Sequence, residues 1–100
     1  MRILLDESLP RKFGLELPGH YTQTVQRRGW AGLGNGKLLR EAASEFDGLL
    51  TGDQNLATLP IAVIVLVATD NRIGTLRPLI PQLLDALKTI RHGQLLLIGT

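Results

Sequence analysis

Arg2-Ile3-Leu4-Leu5-Asp6-Glu7-Ser8-Leu9-Pro10 is a short apolar run that ends in two carboxylates, then a serine and a proline. The run Ile3-Leu4-Leu5 is continuous rather than alternating, which predicts a buried strand over residues 2–6. Pro10 belongs in the first turn of a helix, so residues 9–17 are expected to be helical, with Ser8 as the N-cap. Leu9, Phe13 and Leu17 then fall on one stripe, and Pro18-Gly19 ends it. A buried strand that delivers acids at its C-terminal end is where open α/β sheets place their ligand chemistry.

Outward from this stretch the same alternation continues. Residues 20–25 carry Tyr21 and Val25 among threonines, as a pleated surface favours. Residues 27–36 form a glycine-rich connection with Trp30 as its pin, and their spacing does not match a phosphate-cradling loop. Residues 37–46 place Leu38, Leu39, Ala42, Ala43 and Phe46 on one side of a helix. A third strand follows over 49–51 and ends in Thr51-Gly52-Asp53. The run Ile61-Ala62-Val63-Ile64-Val65-Leu66-Val67-Ala68 reads as an interior strand. Residues 73–91 are helical but hold Pro78 and Pro81, so two pieces are expected, one near 75–77 and one over 81–90. Residues 94–98 close the sheet. The predicted class is α/β, a mainly parallel sheet of about five strands covered by helices.

The chain has 100 residues, 44% of them hydrophobic, which suits one small domain over residues 1–100. It contains no cysteine, so disulfides and thiolate metal sites are excluded. No apolar window of about 18 residues exists, and Asp6 and Glu7 interrupt the first one, so neither a membrane span nor a signal peptide is expected. A cytoplasmic protein is the expectation. Net charge is +2, with Arg11, Lys12, Arg27, Arg28, Lys37 and Arg40 all in the first half. That distribution suits a nucleic-acid partner and equally a solvated face. With four aromatic residues, a base-stacking platform is not expected.

Three strands end in polar groups: Asp6 with Glu7, then Asp53, then Asp70 with Asn71. In a parallel sheet these ends share one edge, and carboxylates gathered there need a cation to offset their repulsion. Oxygen ligands of this kind suit Mg2+ or Mn2+, which assist in-line displacement at a phosphodiester. Arg27, Arg28 and Arg72 are candidate RNA phosphate contacts, and equally read as solvated arginines. His20 and His92 read as surface turn residues, and Asp47 as a hydrogen-bond acceptor in its own turn. Ser8 lacks the G-x-S-x-G context of a nucleophile elbow.

The segments LLDESLP, GWAGLGNGKLL, FDGLLTGDQNL and PIAVIVLVATDNR together resemble the short PIN-like family of bacterial toxins. These are compact relatives of the PIN-domain ribonucleases of toxin–antitoxin pairs. The resemblance implies a metal-dependent ribonuclease-like fold, with Asp6 and Asp53 as catalytic acids holding the metal and Asn71, beside Arg72, as the family's asparagine. It also implies a cognate antitoxin as partner and RNA as substrate. Glu7, Asn35 and Asp70 complete the candidate ligand set. The sequence departs from the family at Asn35-Gly36-Lys37, where relatives carry acids such as Asp-Gly-Glu. A catalytically inactive PIN-like binding module that pairs with other proteins is therefore the alternative. A receiver-like or nucleotide-binding domain is a third reading, against which stands the missing glycine fingerprint after the first strand.

The second departure is length: only residues 54–60 join Asp53 to Ile61. In the PIN-like strand order 3-2-1-4-5 this connection must pass two strands and return along the sheet, about 20–25 Å, against roughly 23–25 Å for full extension. Such a tight closure predicts a homodimer that exchanges the chain from about Ile61 onward.

Overall fold

The computed structural model describes residues 1–33, 35–52 and 61–99, with the backbone alone at residues 35, 36 and 39. Five strands form one all-parallel sheet: β1 (Arg2–Leu5), β2 (Tyr21–Thr24), β3 (Gly48–Thr51), β4 (Ala62–Val67) and β5 (Leu95–Gly99). The helices are α1 (Asn35–Ala43), α2 (Ile73–Leu76) and α3 (Ile80–Leu87). Among the described residues no helix is long and apolar enough to cross a membrane.

Alternate residues of β1, β3, β4 and β5 feed two cores. On one face Ile3, Leu5, Leu50, Ile64, Leu66 and Ile98 meet Phe13, Leu76, Leu83 and Leu87. On the other, Leu4, Leu49, Val63 and Val65 meet Leu38, Ala42 and Phe46, with Trp30 packed against the same cluster. The Trp30 ring stands edge-on to Phe46, with centroids 6.2 Å apart. The loop before α1 is thus pinned by Trp30, as its sequence suggests.

The first connection differs from the expected α-helix. Arg11–Glu16 is a 3-10 helix, closed by Phe13 N–H to Pro10 O at 3.0 Å and Leu17 N–H to Gly14 O at 3.2 Å. Its middle lies so close to β2 that a Cβ on Gly14 would overlap Thr22 Oγ1 and stand 3.1 Å from Thr22 Cβ. Confined between Pro10 and Pro18-Gly19, and pressed on the sheet at a glycine, the segment takes the tighter coil. Leu9, Phe13 and Leu17 are nevertheless all buried, as the stripe requires. The prolines of the last crossover act as expected: α2 passes through a 3-10 turn at Arg77–Leu79 into α3, with Pro78 and Pro81 each in a first turn.

The strand order is β2-β1-β3-β4-β5, which corrects the PIN-like 3-2-1-4-5 expectation. The connection from β2 through α1 carries the chain across β1, so β3 pairs with β1 on the side away from β2. β4 then lies directly beside β3 of the same chain, with Gly48 opposite Ala62 and Thr51 opposite Val65. One strand spacing is about 4.8 Å, so the two-strand crossing on which the exchange from Ile61 rested does not arise.

The crossovers do not share one hand. The β1–β2 and β2–β3 connections run in opposite directions across the sheet on opposite faces, which gives them the same hand. The β4–β5 connection runs in the direction of β2–β3, yet α2 and α3 pack on the face of the first 3-10 helix. A doubly wound sheet of this order with uniformly right-handed crossovers would put them on the α1 face. Among the described residues no helix covers the α1 face beyond β4, and Leu97 of β5 is 54% exposed there.

Candidate active site at the β1/β3 crevice

The chain reverses direction across the sheet at β1, since β2 lies on one side of it and β3 on the other. The crevice outside the C-terminal ends of β1 and β3 is therefore the topological switch point, the usual ligand position of an open α/β sheet. Asp6 sits there because the ladder extends one residue past β1, with Asp6 N–H donating to Leu50 O at 2.9 Å.

The Asp6 carboxylate organises a small web. Its Oδ2 accepts the Ser8 hydroxyl at 2.7 Å, the Thr51 hydroxyl at 2.9 Å and, more weakly, the Ser8 N–H at 3.4 Å. Ser8 Oγ in turn accepts the Gly52 N–H at 3.0 Å. Thr51 is wholly buried and Asp6 half-buried, so these bonds to a charged acceptor are worth more than at a free surface. Ser8 is thus not the expected N-cap. The 3-10 helix begins after Pro10 without a side-chain cap, and the Ser8 hydroxyl joins the end of β1 to the end of β3. Among the described residues these bonds all fall on Oδ2.

Asn71 reaches the same spot from the end of β4. Its amide lies over Gly52, where a Cβ would stand 2.8 Å from Asn71 Oδ1 and 2.9 Å from Nδ2. Gly52 is needed for that close approach, not for an unusual backbone angle. Asp6, Ser8, Thr51, Gly52 and Asn71 therefore share one knot, in which Asp6 and Asn71 are candidates from the sequence. Ser8 and Thr51 are the members that reading by motif misses. The signal for Ser8 was present, because an aspartate followed two residues later by serine forms an Asx-type turn as readily as a helix cap.

The remaining candidates divide. Asp53 and the Asn35 side chain lie outside the described residues. Glu7 is exposed. Asp70 Oδ1 accepts the Arg72 N–H at 2.9 Å, so its carboxylate belongs to the turn entering α2. That bond, then the Thr75 hydroxyl and the Arg72 charge, hold its pKa below the usual carboxylate range. Arg72 is exposed and lines an open cleft beside the knot, together with Arg11 and Lys12. Arg28 is carried elsewhere: it pairs with Glu45, and its guanidinium stands 4.7 Å from the Trp30 ring centroid. Glu45 O accepts from Arg2 Nε at the opposite, N-terminal edge of the sheet. Lys37 is exposed in the first turn of α1.

At that N-terminal edge Asp47 is an acceptor as expected, but across strands rather than in its own turn: Oδ2 takes the Arg2 N–H at 2.8 Å. His92 is exposed, 3.9 Å from Asp47 Oδ1. His20 is half-buried, with Nδ1 enclosed; burial, then the Met1 ammonium, push its pKa down.

Among the described residues no group of three or more acids or histidines is gathered as a metal cluster. The donor set that is described, a carboxylate oxygen, two hydroxyls and an amide, is nonetheless hard and oxygen-rich, which fits Mg2+ or Mn2+ rather than a soft metal. In comparisons with protein-family models, curated proteins and solved structures, nothing matches the chain.

Proposed function

We propose that this chain is a divalent-metal-dependent ribonuclease of the PIN-like kind, acting as the toxin of a toxin–antitoxin pair in the cytoplasm. The observation that carries the reading is the hydrogen-bonded link from Asp6 through Ser8 Oγ to Gly52 N–H. Gly52 immediately precedes Asp53 in sequence, so this link ties Asp6 to the residue before the second candidate acid. Asp6 and Asp53 would hold Mg2+ or Mn2+, with the Asn71 amide as an outer ligand. When bound, the ion would supply charge neutralisation at a phosphodiester.

The protein's own part is positional. Ser8 and Thr51 fix the Asp6 carboxylate by donating to Oδ2. Arg72, beside it, offsets phosphate charge. Hydrolysis adds water across the phosphorus–oxygen bond: the water oxygen joins phosphorus and the displaced ribose oxygen leaves with a proton. The strand order is not the PIN-like one, so support comes from the site residues and not from topology. Asp6→Asn or Asp53→Asn is expected to abolish Mn2+-dependent RNA cleavage by the purified protein. Wild type that neither cleaves RNA nor binds Mn2+ by calorimetry would sink the enzymatic reading.

Lys37, exposed in the first turn of α1 where the resembled family has an acid, favours a second reading as a binding module without chemistry. Manganese separates the two, since an ion that binds the native site raises the melting temperature, by about 2.7 kcal/mol of stability at 100 times its Kd. The 2-1-3-4-5 order is also that of receiver-like domains, but the shared face of the first and last crossovers is not theirs.

A further inference from the structure

Two open clefts have Arg11 in common, and the larger reaches the knot at Ser8 and Asn71. The larger, about 880 Å³, is bounded by Ser8, Pro10, Arg11, Lys12, Arg72 and Ile73. The second, about 370 Å³, is lined by Arg11, Thr24, Gln26 and Arg27. Arg11, Lys12, Arg27 and Arg72 are all exposed, and among the described residues none is in an ion pair. Elsewhere three cations are matched: Arg28 with Glu45, Arg77 with Glu16 and Lys88 with Asp85. Among the described residues Arg2, Lys37, Arg40 and Arg91 also lack a carboxylate ion-pair partner but line neither cleft; the Arg2 guanidinium donates to Glu45 O. Of the acids at this edge, Asp6 and Asp70 are engaged by the hydroxyls and N–H groups described above, and Glu7 is exposed.

Building on the ribonuclease reading, we infer that this cationic run, Arg72–Lys12–Arg11–Arg27, is the track along which a single-stranded RNA backbone reaches Asp6. A lining that combines Arg11, Lys12 and Arg72 with the aliphatic Leu9, Pro10 and Ile73 suits phosphates on the cations and unpaired bases against the apolar surface. A duplex keeps its bases stacked inside and cannot use that surface. No aromatic side chain lines either cleft, so recognition rests on phosphate contacts and tolerates sequence. The track ends on Ser8, which holds Asp6, and this continuity with the carboxylate favours a substrate strand over an acidic protein as occupant.

The test is fluorescence anisotropy of a labelled oligouridylate over a salt series in EDTA, where cleavage cannot intervene. Arg11→Ala combined with Lys12→Ala is expected to weaken binding about tenfold or more. It should also flatten the log K against log salt slope by about 1.4, two contacts at roughly 0.7 each for a single strand. Arg27→Ala alone should flatten it by about 0.7, and Arg91→Ala should leave affinity and slope as in wild type. All four side chains are exposed, and circular dichroism checks that the variants fold. Wild-type affinity and slope in the Arg11/Lys12 variant would overturn the track. So would duplex RNA or polyglutamate competing as well as the single strand. If the track variants lose binding but wild type shows no Mn2+-dependent cleavage, the nuclease reading fails and the track stands. If Asp6→Asn abolishes cleavage while the track variants bind normally, the track alone fails.

Discussion

Replacing Ser8 with alanine removes one of the two hydroxyls that, with Asp6, tie β1 to β3 outside the sheet ladder. Its hydroxyl contacts go with it: the 2.7 Å donation to Asp6 Oδ2, the 3.0 Å acceptance from Gly52 N–H and a weaker 3.3 Å contact with Thr51 Oγ1. A hydrogen bond to a charged group contributes about 1.5–3 kcal/mol, and the lower half of that range applies because both partners are only half-buried. The Gly52 N–H left without its acceptor adds about 1 kcal/mol, less where water can reach it. The sum is about 2–3 kcal/mol, a fall of roughly 8–20 °C in Tm for a domain of this size. Thermal and urea unfolding of Ser8→Ala, Asp6→Ala and the double variant form a cycle. The double variant should cost less than the two single costs added, by about 1 kcal/mol or more, since each substitution removes the same bond. A loss under about 0.5 kcal/mol for Ser8→Ala, or strict additivity with Asp6→Ala, would refute the knot as drawn.

Gly14→Ala should destabilise by about 1–3 kcal/mol, because the new methyl overlaps Thr22 Oγ1 and the helix must lift from β2; adding Thr22→Ala should recover part of the loss, and a neutral Gly14→Ala would show that the segment is not pressed on the strand. His20 titrates below its ordinary value because burial disfavours the imidazolium. The unfolded chain therefore takes up the proton first, so this contribution is present above about pH 6.5 and is lost as pH falls through the folded-state pKa. His20→Gln should flatten that part of the stability profile, and an unchanged profile would contradict the assignment. For Asp70, NMR titration should give a carboxyl midpoint below the usual aspartate range, moving upward in Thr75→Val as one donor is lost. No upward movement would mean that the Thr75 hydroxyl does not hold the carboxylate.

How far the chain could be read in advance depends on the range of the cause. The apolar run 3–5 and the stripe Leu9, Phe13, Leu17 are local patterns, and both are buried where the pattern puts them. Pro78 and Pro81 divide the last crossover because a ring without an N–H acts on its own turn. The roles of Ser8 and Arg28 were not legible, since each has two local solutions of similar cost. A hydroxyl two residues after Asp6 can cap a helix or bond the aspartate, and the nearness of Thr51 and Gly52 decides between them. An arginine in a glycine-rich loop can face solvent or lie on Trp30, and Glu45, far away in sequence, decides that.

Strand order is the furthest from local. The lengths of the connections say how far each strand can travel, not in which direction. The short link before β4 was compatible with a strained two-strand crossing or with an easy single step, and the difference lies in where β3 had already gone. That placement belongs to the connection through α1, whose Leu38 and Ala42 join Phe46 over Leu4 and Leu49 and so seat β3 against β1. Once β3 is there, Thr51 stands beside Asp6, and the same placement that removes the strain at β4 creates the hydroxyl side of the crevice. In the 3-2-1-4-5 arrangement β3 would not neighbour β1, and Thr51 could not reach Asp6 Oδ2. The 2.9 Å bond between them is thus a direct report of strand order. An NMR contact between the Thr51 methyl group and the Asp6 β-protons is expected from the 2-1-3-4-5 sheet, and its absence alongside β1–β4 contacts would restore the other order and the exchange that goes with it.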